Sequence, residues 1–309
     1  PRGLAPVVAA ARARGIAIGI WFNPSQARDF AAWQRDADII IDLWRRHGIA
    51  HVKIDGVHIP TRRAEANLVA MFDRISTDSR GAIVINMDVT AGRRPAFFAV
   101  NRYGNIFLEN RYTDWGNYYP HRTLRNLWQL AAYVPPQWIQ AEFLNVARNA
   151  DKYAADDPLA PAAVGQRFAL AATLAGQPLA WMETTGLPAG AVGELAPMIA
   201  AFRAVQADWH SQPILPIGEE PKGSHRPGFQ SFAADGTSGF LMLYQEPLAA
   251  RTGAFRTLLP PGALVQLTPL LGPLTAQEAR VGPEGALTLP MPPGAQAALL
   301  RYRIKEEAP

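Results

Sequence analysis

Short apolar runs, each followed by a stretch with helical spacing, recur along the first two thirds of the chain. Six of them read as strands, at residues 16–22, 51–55, 83–88, 105–111, 137–142 and 178–183. Between them, Trp33, Ile40, Ile41 and Trp44 recur at helical spacing before Gly48, a residue suited to a left-handed helix end. Leu68, Met71, Phe72 and Ile75 form a second stripe, Leu124, Trp128 and Ala131 a third, and residues 168–174 a fourth. Nearly continuous apolar strands that alternate with helices predict a parallel sheet covered on both faces. After His210 the pattern changes. Residues 212–218 read as a Pro/Gly-rich linker. Alternating runs follow at 238–244, 263–267 and 296–303, separated by turn signals such as Asp235-Gly236 and Pro260-Pro261-Gly262. This predicts a small antiparallel β-sandwich.

Polar residues gather where the predicted strands end: Asn23, Asp55, Asp88, Asp114, Glu142 and Glu183. In a (β/α)8 barrel of the TIM type, those ends form the active face. An open dinucleotide-binding sheet is the alternative, but no Gly-x-Gly-x-x-Gly follows any strand. Six βα units leave 8 − 6 = 2 to be accounted for. The expectation is therefore an α/β barrel lacking its first two strands in this chain (1–211), followed by an all-β domain (212–309). A start at Pro1-Arg2-Gly3, with Met71 the first methionine, reads as a piece of a longer polypeptide.

Composition narrows the function. The 309 residues are 49% hydrophobic and 18% charged, which is an ordinary globular balance. The net charge is +4, but the arginines are scattered with no run of five basic residues, which argues against a nucleic-acid partner. No apolar run reaches the ~18 residues of a membrane span. The absence of cysteine excludes disulfides, thiolate metal sites and cysteine nucleophiles, and leaves the compartment open between periplasmic, secreted and other locations.

The segment His51-Val52-Lys53-Ile54-Asp55-Gly56 carries the chemistry. Side chains alternate along a strand, so Lys53 and Asp55 share a face at its C-terminal end. They could form a structural ion pair or bind a polar ligand. A second carboxylate in a similar setting, Asp114, lies 114 − 55 = 59 residues later. Two carboxylates on one barrel face suit retaining glycoside hydrolysis if they lie about 5–5.5 Å apart. Lys53 would favour an ionised Asp55 as nucleophile. Tyr112, Trp115, Tyr118 and Tyr119 surround Asp114 in sequence and would suit an acid, or stack on sugar rings. Such a cluster is more often core than a sugar platform, although a loop at a strand end shifts the balance. His51 and His58 raise a metal-dependent hydrolase as a rival, although no His-x-x-x-His accompanies them.

These pieces resemble a known family. Gly15 to Pro24, with Trp21, resembles the third-strand segment of glycoside hydrolase family 36 α-galactosidases (melibiases). Val52-Lys53-Ile54-Asp55 resembles their Lys-x-Asp strand, Ala91-Gly92-Arg93 their glycine-rich loop, and Tyr112-Thr113-Asp114 their sixth-strand segment. The resemblance spans roughly residues 10–210, and the all-β tail is similar to the family's C-terminal domain. It implies Asp55 as nucleophile and Asp114 as acid/base, with Trp21, Lys53, Arg93, Arg111 and Trp115 as substrate-binding residues. It implies a glycoside or oligosaccharide substrate, no metal, no other cofactor and no membrane, and it leaves the oligomeric state open. Asn23, where the family usually has Glu, and Asp88-Val89-Thr90, where it has a Cys-bearing loop, leave the sugar open. Transglycosylation and a non-catalytic carbohydrate-binding role are the alternatives.

Overall fold

The apolar runs form parallel strands that are shorter than their sequence pattern. The computed structural model describes residues 3–88, 102–108, 111–182 and 186–305, in two compact units, Pro1–Glu109 and Asn110–Pro309. The first unit holds β1 (Gly19–Phe22), β2 (His51–Ile54), β3 (Val84–Asp88) and β4 (Ile106–Leu108), paired in that order and parallel.

Parallel neighbours need crossovers, and helices supply them. After α1 (Ala5–Arg12), helix α3 (Trp33–His47) joins β1 to β2, and α4 (Arg62–Asp78) joins β2 to β3. The first predicted stripe is α3, which buries Ala37, Ile40 and Ile41. It stops at Gly48, whose φ of 69° lets its N–H return to Trp44 O at 2.7 Å. The second stripe is α4. Thr61 caps it by accepting the Ala64 N–H at 3.0 Å, and Leu68, Met71, Phe72 and Ile75 are buried along it. Each such apolar side chain contributes about 1.5–3 kcal/mol.

One short turn runs against local preference. In α2 (Ala27–Phe30), Arg28, Asp29 and Phe30 have φ of 53°, 59° and 60°. Left-handed backbone costs L residues about 1–2 kcal/mol each. Burial of the Phe30 ring and a 2.7 Å hydrogen bond from Asn67 Nδ2 to Asp29 O offset that cost.

The second unit opens with α5 (Pro120–Leu130), then the parallel pair β5 (Ile139–Phe143) and β6 (Gln177–Ala180), with α6 (Pro161–Val164) and α7 (Gln166–Ala171) between them. Helix α8 (Ala191–His210) follows. The sequence pattern does not reveal α8. Gly193 and Pro197 look like breakers, and exposed Val192 and Ile199 blur a buried stripe of Leu195, Met198, Phe202 and Trp209.

The rest is antiparallel: β7 (Ile214–Ile217), β8 (Gly228–Ser231), β9 (Ser238–Gln245), β10 (Ala254–Arg256), β11 (Leu264–Leu271), β12 (Gln277–Arg280), β13 (Ala286–Thr288) and β14 (Gln296–Ile304). Six strands form one sheet in the order β12-β11-β14-β9-β8-β7, and β10 pairs with β13. The segment read as a linker is thus corrected at β7. It is an edge strand, a position that tolerates Pro216. β9 is buried on both faces. Leu241 and Leu243 join a core with Phe255, Val265, Leu267, Leu287 and Leu300. On the other face, Phe240 meets Trp209 edge-on at 5.9 Å, and the Tyr244 hydroxyl donates to Ala171 O at 2.8 Å. Just beyond β9, buried Glu246 accepts the N–H groups of Lys222, Gly223 and His225 at 3.0, 2.7 and 2.8 Å, clamping the β7–β8 loop.

Two histidines in this unit give it an acid sensitivity. Burial pushes His121 down from 6.5 to about 4, aided by Arg122 and Arg125 and opposed by Asp157. Burial likewise brings His210 down from 6.5 to about 4, against a backbone hydrogen bond with Gly176. Unfolded, both take a proton near 6.5, so between that pH and about 4 the unfolded chain binds more protons than the fold. Their contribution to stability is intact above 6.5, is lost as pH falls through this window, and changes no further below about 4. The melting temperature should decline accordingly, and a His121→Gln, His210→Gln double variant should flatten that decline in calorimetry.

Candidate active site

In the first unit the strand register builds a polar face at the C-terminal ends. Trp21 pairs with Lys53, Lys53 with Asn86, and Asp88 with Phe107, so these side chains and Asp55 share one side of the sheet. Lys53 Nζ lies 3.7 Å from Asp55 Oδ2 and 3.3 Å from Asp88 Oδ2, and 4.1 Å above the Phe107 ring. Asp88 is buried, whereas the Asp55 side chain keeps 22% exposure. Of the two carboxylates on the lysine, Asp55 is therefore the one a ligand can reach. The Gly56 N–H donates to Asp55 Oδ1 at 2.5 Å and fixes its orientation.

Gly56 has to be glycine. Its φ is 66°, and a Cβ there would meet Asn23 Nδ2 at 2.9 Å. Gln26, which the sequence did not single out, ties the two loops together. Its Nε2 donates to Gly56 O at 2.8 Å, and its Oε1 accepts the His58 N–H at 2.9 Å. Trp21 is 70% exposed beside this face. Arg93 lies outside the described residues.

Replacing Lys53 with Met should destabilise the fold, because buried Asp88 then loses the Lys53 ammonium 3.3 Å away. Adding Asp88→Asn should recover most of that loss, which denaturant unfolding of the single and double variants would measure.

In the second unit Asp114 sits in a 3-10 turn, Thr113–Trp115, instead of ending a strand. Gly116 closes the turn at φ 61°, packed so that a Cβ would meet Lys152 O at 2.8 Å. Asp114 Oδ1 accepts from Arg148 Nη2 and Asn149 Nδ2, each at 3.2 Å, and Lys152 Nζ donates to the Asp114 carbonyl. Arg148, Asn149 and Lys152 follow β5. Nothing in their local pattern signals a site; they converge on Asp114 because the loop begins at a strand's C-terminal end. Asp114, Tyr112, Asn145, Arg148 and Trp181 line a cavity of about 350 Å³. Tyr112 meets Trp115 edge-on at 4.9 Å and lies 6.3 Å from Trp181. Trp115 is 64% exposed. Arg111, half-buried, has φ 145°, a strained conformation for a side-chain-bearing residue.

The expected aromatic setting of Asp114 is divided. Tyr112 and Trp115 stay with it, while Tyr118 is fully buried and Tyr119 donates to Asp157 at 3.0 Å. Burial, aided by the charge of Glu142, pushes the Tyr118 phenol far up, so it remains protonated. Among the described residues, no group of three or more His, Asp or Glu side chains is arranged to hold a metal ion, and no helix is long and apolar enough to cross a membrane.

No protein-family model matches the chain, and no curated protein matches it by sequence. Solved structures do. The GH36 α-galactosidase AgaA from Geobacillus stearothermophilus superposes with a TM-score of 0.71 at 13% identity, over 99% of this chain and 47% of its own. The α-galactosidase from Lactobacillus brevis gives 0.70 at 11% identity, over 100% and 47%. Pullulanase type I from Bacillus subtilis, solved with maltose, gives 0.63 at 10% identity, over 98% and 56%. This chain thus spans about half the length of those it matches. At such identities the likeness concerns the fold, and that fold is the one GH36 α-galactosidases have, as the sequence resemblance implied.

Proposed function

We propose that residues 1–211 carry the catalytic part of a retaining exo-α-glycosidase, an α-galactosidase, and that residues 212–309 are an accessory β domain. The observation that carries the reading is Asp55. It is a reachable carboxylate at a strand end, oriented by the Gly56 N–H and set beside the Lys53 ammonium. Its role is to attack the anomeric carbon and form a glycosyl ester as the glycosidic bond breaks. Asp114 gives its proton to the leaving oxygen, then takes one from the water that cleaves the ester. Trp21, Lys53, Arg93, Arg111 and Trp115 are assigned to holding the sugar. An oligosaccharide substrate is supported by AgaA variants solved with raffinose and with stachyose.

A screen of nitrophenyl α- and β-glycosides with the full-length protein tests this reading. The α-galactoside should be cleaved fastest, with the α-anomer of the sugar formed first by NMR. A β-anomer first, or cleavage of β-glycosides alone, would refute it. New oligosaccharides formed when acceptor sugar is added would mark a transglycosylase instead.

A further inference from the structure

The cavity beside Asp114 has a feature that acid catalysis does not call for. Arg148 reaches into it and donates to the very carboxylate that must hold a proton when the bond breaks. Both partners are about half exposed, with side-chain exposures of 42% and 53%, so the pair is screened by solvent. Arg148 and Asp114 are the only charged side chains among the described lining residues. A guanidinium carries five donors in a planar fork that matches a carboxylate. The rings of Tyr112 and Trp181 pack on each other, 6.3 Å between centroids and tilted by 45°, and both border the same space, offering one apolar wall to a sugar ring.

We propose that this cavity receives the leaving-group side of the substrate and that Arg148 selects one bearing a carboxylate, such as a uronic acid residue. The idea rests on the glycosidase reading for which side of the bond enters. The incoming carboxylate takes the Arg148 Nη2 donor that Asp114 Oδ1 holds in its absence.

The test has two arms. In the first, binding of methyl glucuronide and of its neutral amide to the full-length protein is measured by calorimetry for wild type, Arg148→Gln and Arg148→Lys. Wild type should favour the carboxylate by about tenfold or more, the scale of one hydrogen-bonded charge pair. Arg148→Gln should erase the preference, and Arg148→Lys should restore part of it. In the second arm, kcat/KM is compared for 3-carboxyphenyl and 3-carbamoylphenyl α-galactosides. The ratio of the two should fall by a similar factor in Arg148→Gln, which a purely structural role would not produce. Equal binding of acid and amide by wild type overturns the proposal, whether or not glycosides are cleaved. An Arg148-dependent preference without any glycoside cleavage would uphold the anion site and refute the glycosidase reading alone.

Discussion

Asp55→Ala is expected to lose turnover of every glycoside, whatever its leaving group. The nucleophile accounts for the first bond formed, so a better leaving group cannot compensate for its removal. The loss should exceed about 10⁴-fold in kcat, the scale seen when a covalent nucleophile is deleted. Added azide should give, if anything, the β-glycosyl azide, by direct displacement from the face that Asp55 occupied. The protein should stay folded. The Asp55 side chain is partly exposed, and Lys53 keeps its 3.3 Å contact with Asp88.

Asp114→Ala should behave differently. A dinitrophenyl glycoside needs little protonation as it departs, so its first step should survive while the second, which needs a general base, slows. Natural oligosaccharides should lose about 10²–10⁴-fold, the usual contribution of acid–base catalysis. Azide should rescue this variant by trapping the intermediate as the α-glycosyl azide, the retained anomer. Exchange of the two azide stereochemistries would exchange the two roles. If neither substitution slows turnover by more than about tenfold, well short of that contribution, these aspartates are not the catalytic pair.

What could be read from the sequence was what depends on local period. Lys53 and Asp55 fall on one face because strand side chains alternate, and α3 and α4 follow from apolar stripes, the first of which stops at Gly48. β9, β11 and β14 were visible for the same reason. What escaped was set by tertiary contacts. β7 is a proline-containing strand at the sheet edge, paired with β8, and α8 contains Pro197 within a helix whose exposed side is also apolar. The left-handed turn at Arg28–Phe30 contradicts its residue types and is held by Asn67 and the buried Phe30 ring. In the site, Asp55 was singled out from its strand-end setting and Asp114 from an expected one that proved to be a 3-10 turn, whereas Gln26, Arg148 and Asn149 were not singled out. Each is an ordinary loop residue until the fold brings it to its partner.

The central claim is a covalent glycosyl ester on Asp55. The most direct measurement is trapping with a 5-fluoro α-glycosyl fluoride of the preferred sugar, followed by mass spectrometry of the intact full-length protein and of its peptic peptides. Fluorine slows both steps, while the fluoride leaving group keeps formation of the ester faster than its hydrolysis. The account predicts a mass gain of one fluoroglycosyl unit located on Asp55, and no gain in Asp55→Ala. Label on Asp114 or on any other residue, or turnover of the reagent with no covalent adduct in wild type, would contradict it.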